Sequence, residues 1–118
     1  MAKLPNGDRA VVPVEKLVGY SLNPEHETGK HKARVFKAAL GLTHEDALFL
    51  RSKLLSVVRT HPAIPQESTP YGHRYVIDFE LKTSLGSAIV RSAWIVRNGE
   101  DFPRLTSCYV KDNPHENT

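Results

Sequence analysis

The sequence predicts an α+β fold, with N-terminal helices, two of them forming a helical hairpin, packed on one face of an antiparallel β-meander of three to four strands. Three observations carry that expectation. Apolar residues recur at helical spacing between residues 31 and 60, the period shortens to two after residue 72, and three prolines fall between these stretches. Helices followed by strands segregate into a helical layer on one side of a sheet, and the other side is left open for a ligand.

The elements follow in order. Residues 1–12 read as an N-terminal arm. Val14 to Tyr20 has room for two helical turns after Pro13, and Asn23-Pro24 stops it because the residue before proline is pushed out of helical space. A loop runs through Gly29. From His31 to Leu40, the residues Val35, Phe36, Ala39 and Leu40 make an apolar face, and Gly41 is the expected left-handed stop. Thr43 with Asp46 three residues on is an acidic variant of the capping box. It opens a helix from His44 to Thr60 carrying Ala47, Leu48, Leu50, Leu54, Leu55 and Val58, which ends at His61-Pro62. Residues Pro62 to Gly72 read as a loop. In HRYVIDFEL, Tyr75, Ile77, Phe79 and Leu81 alternate with Val76, Asp78 and Glu80, and a turn at Thr83 to Gly86 leads into SAIVRSAWIVR, where Val90, Ser92, Trp94 and Val96 alternate with Ile89, Arg91, Ala93, Ile95 and Arg97. Asn98-Gly99 marks the next turn, Arg104 to Val110 the last strand, and 111–118 a frayed tail.

Composition bounds the function. A chain of 118 residues with 40% hydrophobic and 25% charged residues is expected to be one globular domain, neither disordered nor fibrous. No apolar run approaches the roughly 18 residues of a membrane span, and MAKLPNGDRA lacks the apolar core of a signal peptide. The expectation is a protein without a membrane partner, cytoplasmic or delivered into a target-cell cytoplasm. Cys108 is the single cysteine, so an intrachain disulfide and a four-cysteine zinc site are excluded. The net charge of +3 with histidines neutral is a mild attraction toward polyanions.

Two groups of residues could carry chemistry. Lys30, His31, Lys32 and Arg34 crowd a helix start, which already favours anions, so they suit phosphate; equally, they could be solvated residues neutralised locally by Glu25 and Glu27. His26 and His31 flank Gly29 and could act as an acid and a base. A zinc site there would need a third ligand such as Glu25 and has no clustered pattern behind it, so neither metal nor cofactor is expected. His44, His61 and His115 read as surface residues, whereas His73 opens a strand. The second group is Arg91, Arg97 and Arg104 with Trp94 and Tyr109, which could share the open sheet face; Trp94 reads better as core. Arg104 follows a proline at a strand start, and Ser107 and Tyr109 share one strand face. Lysine, arginine, histidine, a hydroxyl and a tyrosine without a carboxylate cluster suit metal-free RNA cleavage. A base takes the 2′-OH proton, an acid protonates the departing 5′ oxygen, and cations stabilise charge on the phosphoryl oxygens.

The segments YSLNPEHETGKHKARVFKAALGL and WIVRNGEDFPRLTSCYV resemble a small bacterial family of unknown function, found alone or at the ends of large secreted adhesins and polymorphic toxins. The family pattern falls on Asn23, Pro24, His26, Gly29, Lys32, Ala33 and Phe36, then on Trp94, Pro103, Arg104, Leu105, Ser107 and Tyr109. Ser107 stands where threonine is usual, and Cys108 and Val110 replace alanine and proline. The helix-then-meander layout is similar to the barnase, EndoU, colicin and RelE (BECR) group of toxin ribonucleases. The resemblance implies an RNA-cleaving toxin domain. His26 would be acid or base, Lys32 and Arg104 would bind the scissile phosphate, and Ser107 or Tyr109 would position the reacting oxygens. Lys30, His31, Arg34, His73 and Arg91 would add phosphate or RNA contacts. It also implies a neutralising antitoxin or immunity protein presenting acidic side chains to Lys32 and Arg104. The alternative is a non-catalytic module that binds a small acidic partner through the same basic surface. An enzyme acting on another phosphate ester or an ADP-ribosyl donor ranks last, for want of a glycine-rich phosphate loop.

Overall fold

The computed structural model describes residues 3–27 and 29–111. The expected α+β fold is what it shows. A short helix α1 (Val14–Lys16) widens into a π-helical turn at Leu17–Ser21, and α2 (Lys30–Leu40) and α3 (Ala47–Thr60) follow. Then come β1 (Ile64–Pro65), β2 (Gly72–Thr83), β3 (Gly86–Arg97) and β4 (Arg104–Val110), antiparallel in the order β1-β2-β3-β4.

The helix ends follow their local signals. Gly41 adopts φ 72°, and the N–H groups of Gly41 and Leu42 donate to the carbonyls of Lys37 and Phe36, which satisfies the last turn of α2. The capping box forms. The Thr43 hydroxyl accepts from the Glu45 N–H while the Asp46 carboxylate accepts from the Thr43 N–H at 2.9 Å. The first turn, His44–Asp46, is 3-10, and α3 proper begins at Ala47.

Two apolar positions depart from expectation. Val35 is 37% exposed and Leu48 71% exposed. The inward stripe of α2 is Ala33, Phe36 and Leu40, and that of α3 is Ala47, Leu50, Leu54 and Val58. Val35 and Leu48 each sit one residue off their stripe, about 100° around the helix.

The stretch from Pro62 to Gly72 is not all loop, since Ile64 and Pro65 pair with Val76 and Tyr75. An edge strand tolerates proline because one side of it needs no donor. The N-terminal stretch is likewise more than an arm. Leu4 and Val12 are buried, Val11 donates its N–H to the Pro103 carbonyl, and Leu105 returns one to the Val11 carbonyl. The tail beyond Lys111, with His115, lies outside the described residues.

Helices cover one face of the sheet. Ile77, Phe79, Leu81, Val90, Trp94, Leu105 and Cys108 join Leu17, Phe36, Leu50 and Leu54 in the core. Within it the Trp94 indole donates to the Ser92 hydroxyl at 2.8 Å and Ser92 donates to the Ile77 carbonyl at 2.9 Å, so the buried polar atoms are paired. Leu105 and Cys108 both point inward although three residues apart. A bulge explains this, because Ala93 faces Ser107 while Trp94 faces Leu105, leaving Thr106 as the extra residue. The bulge gives Arg104, Ser107 and Tyr109 the same open face, where strict alternation would separate Arg104 from the other two.

A candidate anion site where helix α2 meets strand β4

The site is assembled by the loop between α1 and α2. Asn23 accepts the Glu25 N–H through Oδ1 at 2.9 Å, an Asx turn that starts the loop after the wide turn ends. His26 then makes two contacts that enter α2. Its carbonyl accepts the Lys30 N–H, and its Nδ1 accepts the Gly29 N–H at 2.9 Å. An accepting Nδ1 carries no proton, so the neutral imidazole has its proton on Nε2. Gly29 has an ordinary φ of −86°, so it is not here to supply a left-handed turn. A Cβ on it would stand 2.5 Å from the Tyr20 carbonyl oxygen. Glycine is required because α2 starts directly against the Tyr20 backbone.

That approach brings Lys32, one turn into α2, onto Tyr20. The Lys32 Nζ donates to the Tyr20 hydroxyl at 3.2 Å, lies 5.2 Å from the Tyr20 ring centre, and lies 5.6 Å from the ring of Tyr109 on β4. The His26 ring meets Tyr20 edge to face at 4.8 Å. Lys32 has no carboxylate partner among the described residues. Two aromatic faces hold its ammonium and leave its charge uncompensated. Behind it Cys108 is buried, with its thiol 3.8 Å from the Ser21 hydroxyl. Burial pushes that thiol up to about 12, against smaller opposing effects of Ser21 and Lys32, so Cys108 is a neutral core residue and not a nucleophile.

Two open depressions flank this contact. One is lined by Glu15, Lys16, Gly19, Tyr20, Thr106 and Ser107, the other by His31, Lys32, Val35, Tyr109 and Val110. The two motifs expected from sequence therefore meet. His26 and Lys32 from the first, and Ser107 and Tyr109 from the second, gather around Tyr20. Arg104 does not join them. It lies five residues before Tyr109, about 16 Å along an extended strand. Its Nε and Nη2 close on the Glu100 carboxylate at 2.9 and 3.0 Å, and Phe102 covers it. The ion pair raises Arg104 and lowers Glu100 from their ordinary pKa values.

The remaining candidates are dispersed. Arg91 donates twice to Asp78 across the β2–β3 ladder, at 2.8 and 3.0 Å, and Lys111 joins the same carboxylate at 3.2 Å. The Arg91 hydrogen bond, outweighing burial, holds Asp78 below the usual carboxylate range, and Asp78 raises Arg91. Arg97 is exposed, as is His73, whose Nδ1 is 2.8 Å from the Ser68 hydroxyl; Trp94 is core. His44 is exposed, and His61 is half-buried with its ring edge to face with Phe79. Lys30 and Arg34 point away from β4, toward α3. Among the described residues no three His, Cys, Asp or Glu side chains converge to hold a metal ion, and no helix is long and apolar enough to cross a membrane.

Sequence reasoning missed Tyr20, which links the two motifs. It lies 12 residues from Lys32 and reads as an ordinary position of a short helix.

Comparison with curated proteins and with solved structures gives no match. A family model described as Domain of unknown function (DUF6883) matches residues 3–112, a span that holds both motifs, the bulged strand and the whole of the core. On that coverage the chain belongs to the DUF6883 family.

Proposed function

We propose that this is a metal-independent RNA-cleaving toxin domain of the BECR type, acting in a cytoplasm at the edge between α2 and β4. One observation carries the reading: the Lys32 ammonium, without a carboxylate partner among the described residues, is held between two tyrosine rings beside an imidazole. A cation kept uncompensated beside open depressions suits a phosphodiester, and aromatic rings next to it suit bases that stack.

The hydrogen bonding distributes the roles. With its Nδ1 lone pair accepting the Gly29 N–H, His26 does not present that nitrogen to a 2′-OH. Its role is therefore to donate from Nε2 to a phosphoryl oxygen, with Lys32 as the adjacent charge. His31, whose side chain makes no hydrogen bond among the described residues and lines the Lys32 depression, takes the 2′-OH proton. The 2′ oxygen forms its bond to phosphorus as the bond to the 5′ oxygen breaks. The Tyr20 hydroxyl supplies the proton to that leaving oxygen, and Lys32 stabilises the resulting phenolate. Ser107 and Tyr109 position the ribose and the base. The products are a 2′,3′-cyclic phosphate and a 5′-hydroxyl, and solvent restores His31 and Tyr20.

Purified protein is incubated with total RNA in EDTA, and the cleaved ends are identified. Cyclic phosphate ends, largely lost in Lys32→Ala, are expected. No cleavage, with His26→Ala and Lys32→Ala indistinguishable from the parent protein, overturns the reading.

A further inference from the structure

Helix α2 has a second basic face that the site above does not use. Lys30, Arg34 and Lys37, spaced four and three residues apart, form one stripe along the helix. They rim a groove of about 400 Å³ between α2 and the start of α3. Its floor is Leu22, Ala33 and Leu42, all buried, and its far rim is Thr43, His44 and Glu45. None of the three cations has a carboxylate partner among the described residues. The volume suits one or two side chains and lies at the low end of ligand pockets. An apolar floor behind a row of uncompensated cations is complementary to a segment that places an apolar side chain among carboxylates.

We infer that this groove is a docking site for an acidic peptide segment of a partner protein. An apolar anchor rests on Leu22, Ala33 and Leu42, and carboxylates pair with Lys30, Arg34 and Lys37. Those three span about 10 Å of helix, at 1.5 Å per residue, which one short segment can reach. Glu45 on the far rim repels a second acidic row, so the carboxylates must lie on the α2 side, and this sets the direction in which the segment sits. The groove and the Lys32 edge are different faces of α2, so the inference does not depend on RNA cleavage.

The test is fluorescence anisotropy of the full chain with a labelled peptide of alternating glutamate and leucine, at low and at raised salt. Binding is expected, weakening with salt. It should fall more than tenfold in a Lys30→Glu, Arg34→Glu, Lys37→Glu variant and stay within twofold in a Lys53→Glu, Arg74→Glu, Lys82→Glu variant of the same net charge. All six positions are exposed, and matching circular dichroism spectra verify folding. A peptide with serine in place of leucine should bind at least tenfold more weakly. Three results overturn the inference: no binding, equal loss in the two charge variants, or equal affinity for the serine peptide. If the groove variant loses RNA binding while peptide binding is unchanged, the stripe belongs to nucleic acid and the inference is likewise overturned.

Discussion

Two arginines of the sheet, Arg91 and Arg104, and the cations of α2 carry the same charge in opposite circumstances. Arg91 and Arg104 each make a two-pronged contact with a carboxylate, Asp78 and Glu100, at distances between 2.8 and 3.0 Å. Lys30, Lys32, Arg34 and Lys37 have no such contact among the described residues. Antiparallel register explains Arg91, because it sets Asp78 directly opposite, while Glu100 reaches Arg104 from the turn four residues earlier. On α2 the positions three and four residues from each cation hold alanine, valine, phenylalanine, leucine, His31 or further cations, so the helix supplies no carboxylate partner. The contrast separates cations that hold the fold from cations that remain available to a ligand.

That contrast can be broken or sharpened by substitution. The largest effect is expected in Lys32→Ala, where RNA cleavage should fall roughly 100- to 1,000-fold, the scale of losing one donor to a developing charge. Arg104→Ala should lose less than about tenfold, because Glu100 already holds that guanidinium; equal losses would erase the distinction. Gly29→Ala comes next. Its Cβ would meet the Tyr20 carbonyl, and urea unfolding should show a loss of about 1–3 kcal/mol. No loss would mean that α2 can move off Tyr20.

Asp78→Asn should cost about 1–2 kcal/mol at neutral pH, discounted for partial exposure, since it leaves Arg91 and Lys111 without their carboxylate. It should also change the acid limb of the stability curve. Asp78 has a lowered pKa in the folded state, so its contribution is present above the ordinary value of 3.8 and is lost as pH falls below it. The parent protein should therefore lose more stability than the variant between about pH 4 and 2. Identical acid limbs would show that the pair is not structural. The smallest effect belongs to Arg34→Ala, which should stay within about 0.5 kcal/mol by thermal unfolding because no carboxylate depends on it. A larger loss would place it with the arginines of the sheet.

Much of the fold could be read from local chemistry. The stop at Gly41, the box of Thr43 and Asp46, the turn from Thr83 to Gly86 and the inward row Tyr75, Ile77, Phe79 and Leu81 each depend on residues a few positions apart. Val35, Leu48 and the short strand at Ile64 were misread because a one-residue phase error and an edge pairing leave little trace in periodicity. One expectation, phosphate binding, rested on a residue from each of two motifs and came out differently at the two. Lys32 and Arg104 both stand in matched patterns, yet one meets two tyrosine rings and the other a glutamate.

By itself the sequence determined the order of helices and strands, their caps and turns, and which residues of β2 and β3 face the core, since those depend on short-range propensity and period. Only the tertiary structure decided that Gly29 must be bare to let α2 rest on Tyr20, and that Tyr20 joins Lys32 to His26. The tertiary structure also set the bulge at Thr106 that turns Arg104, Ser107 and Tyr109 to one face, and the carboxylates that neutralise Arg91 and Arg104 but not the helix. These depend on contacts between residues distant in the chain, and the close approach of two backbones or two charges is a property of packing that no local spacing encodes.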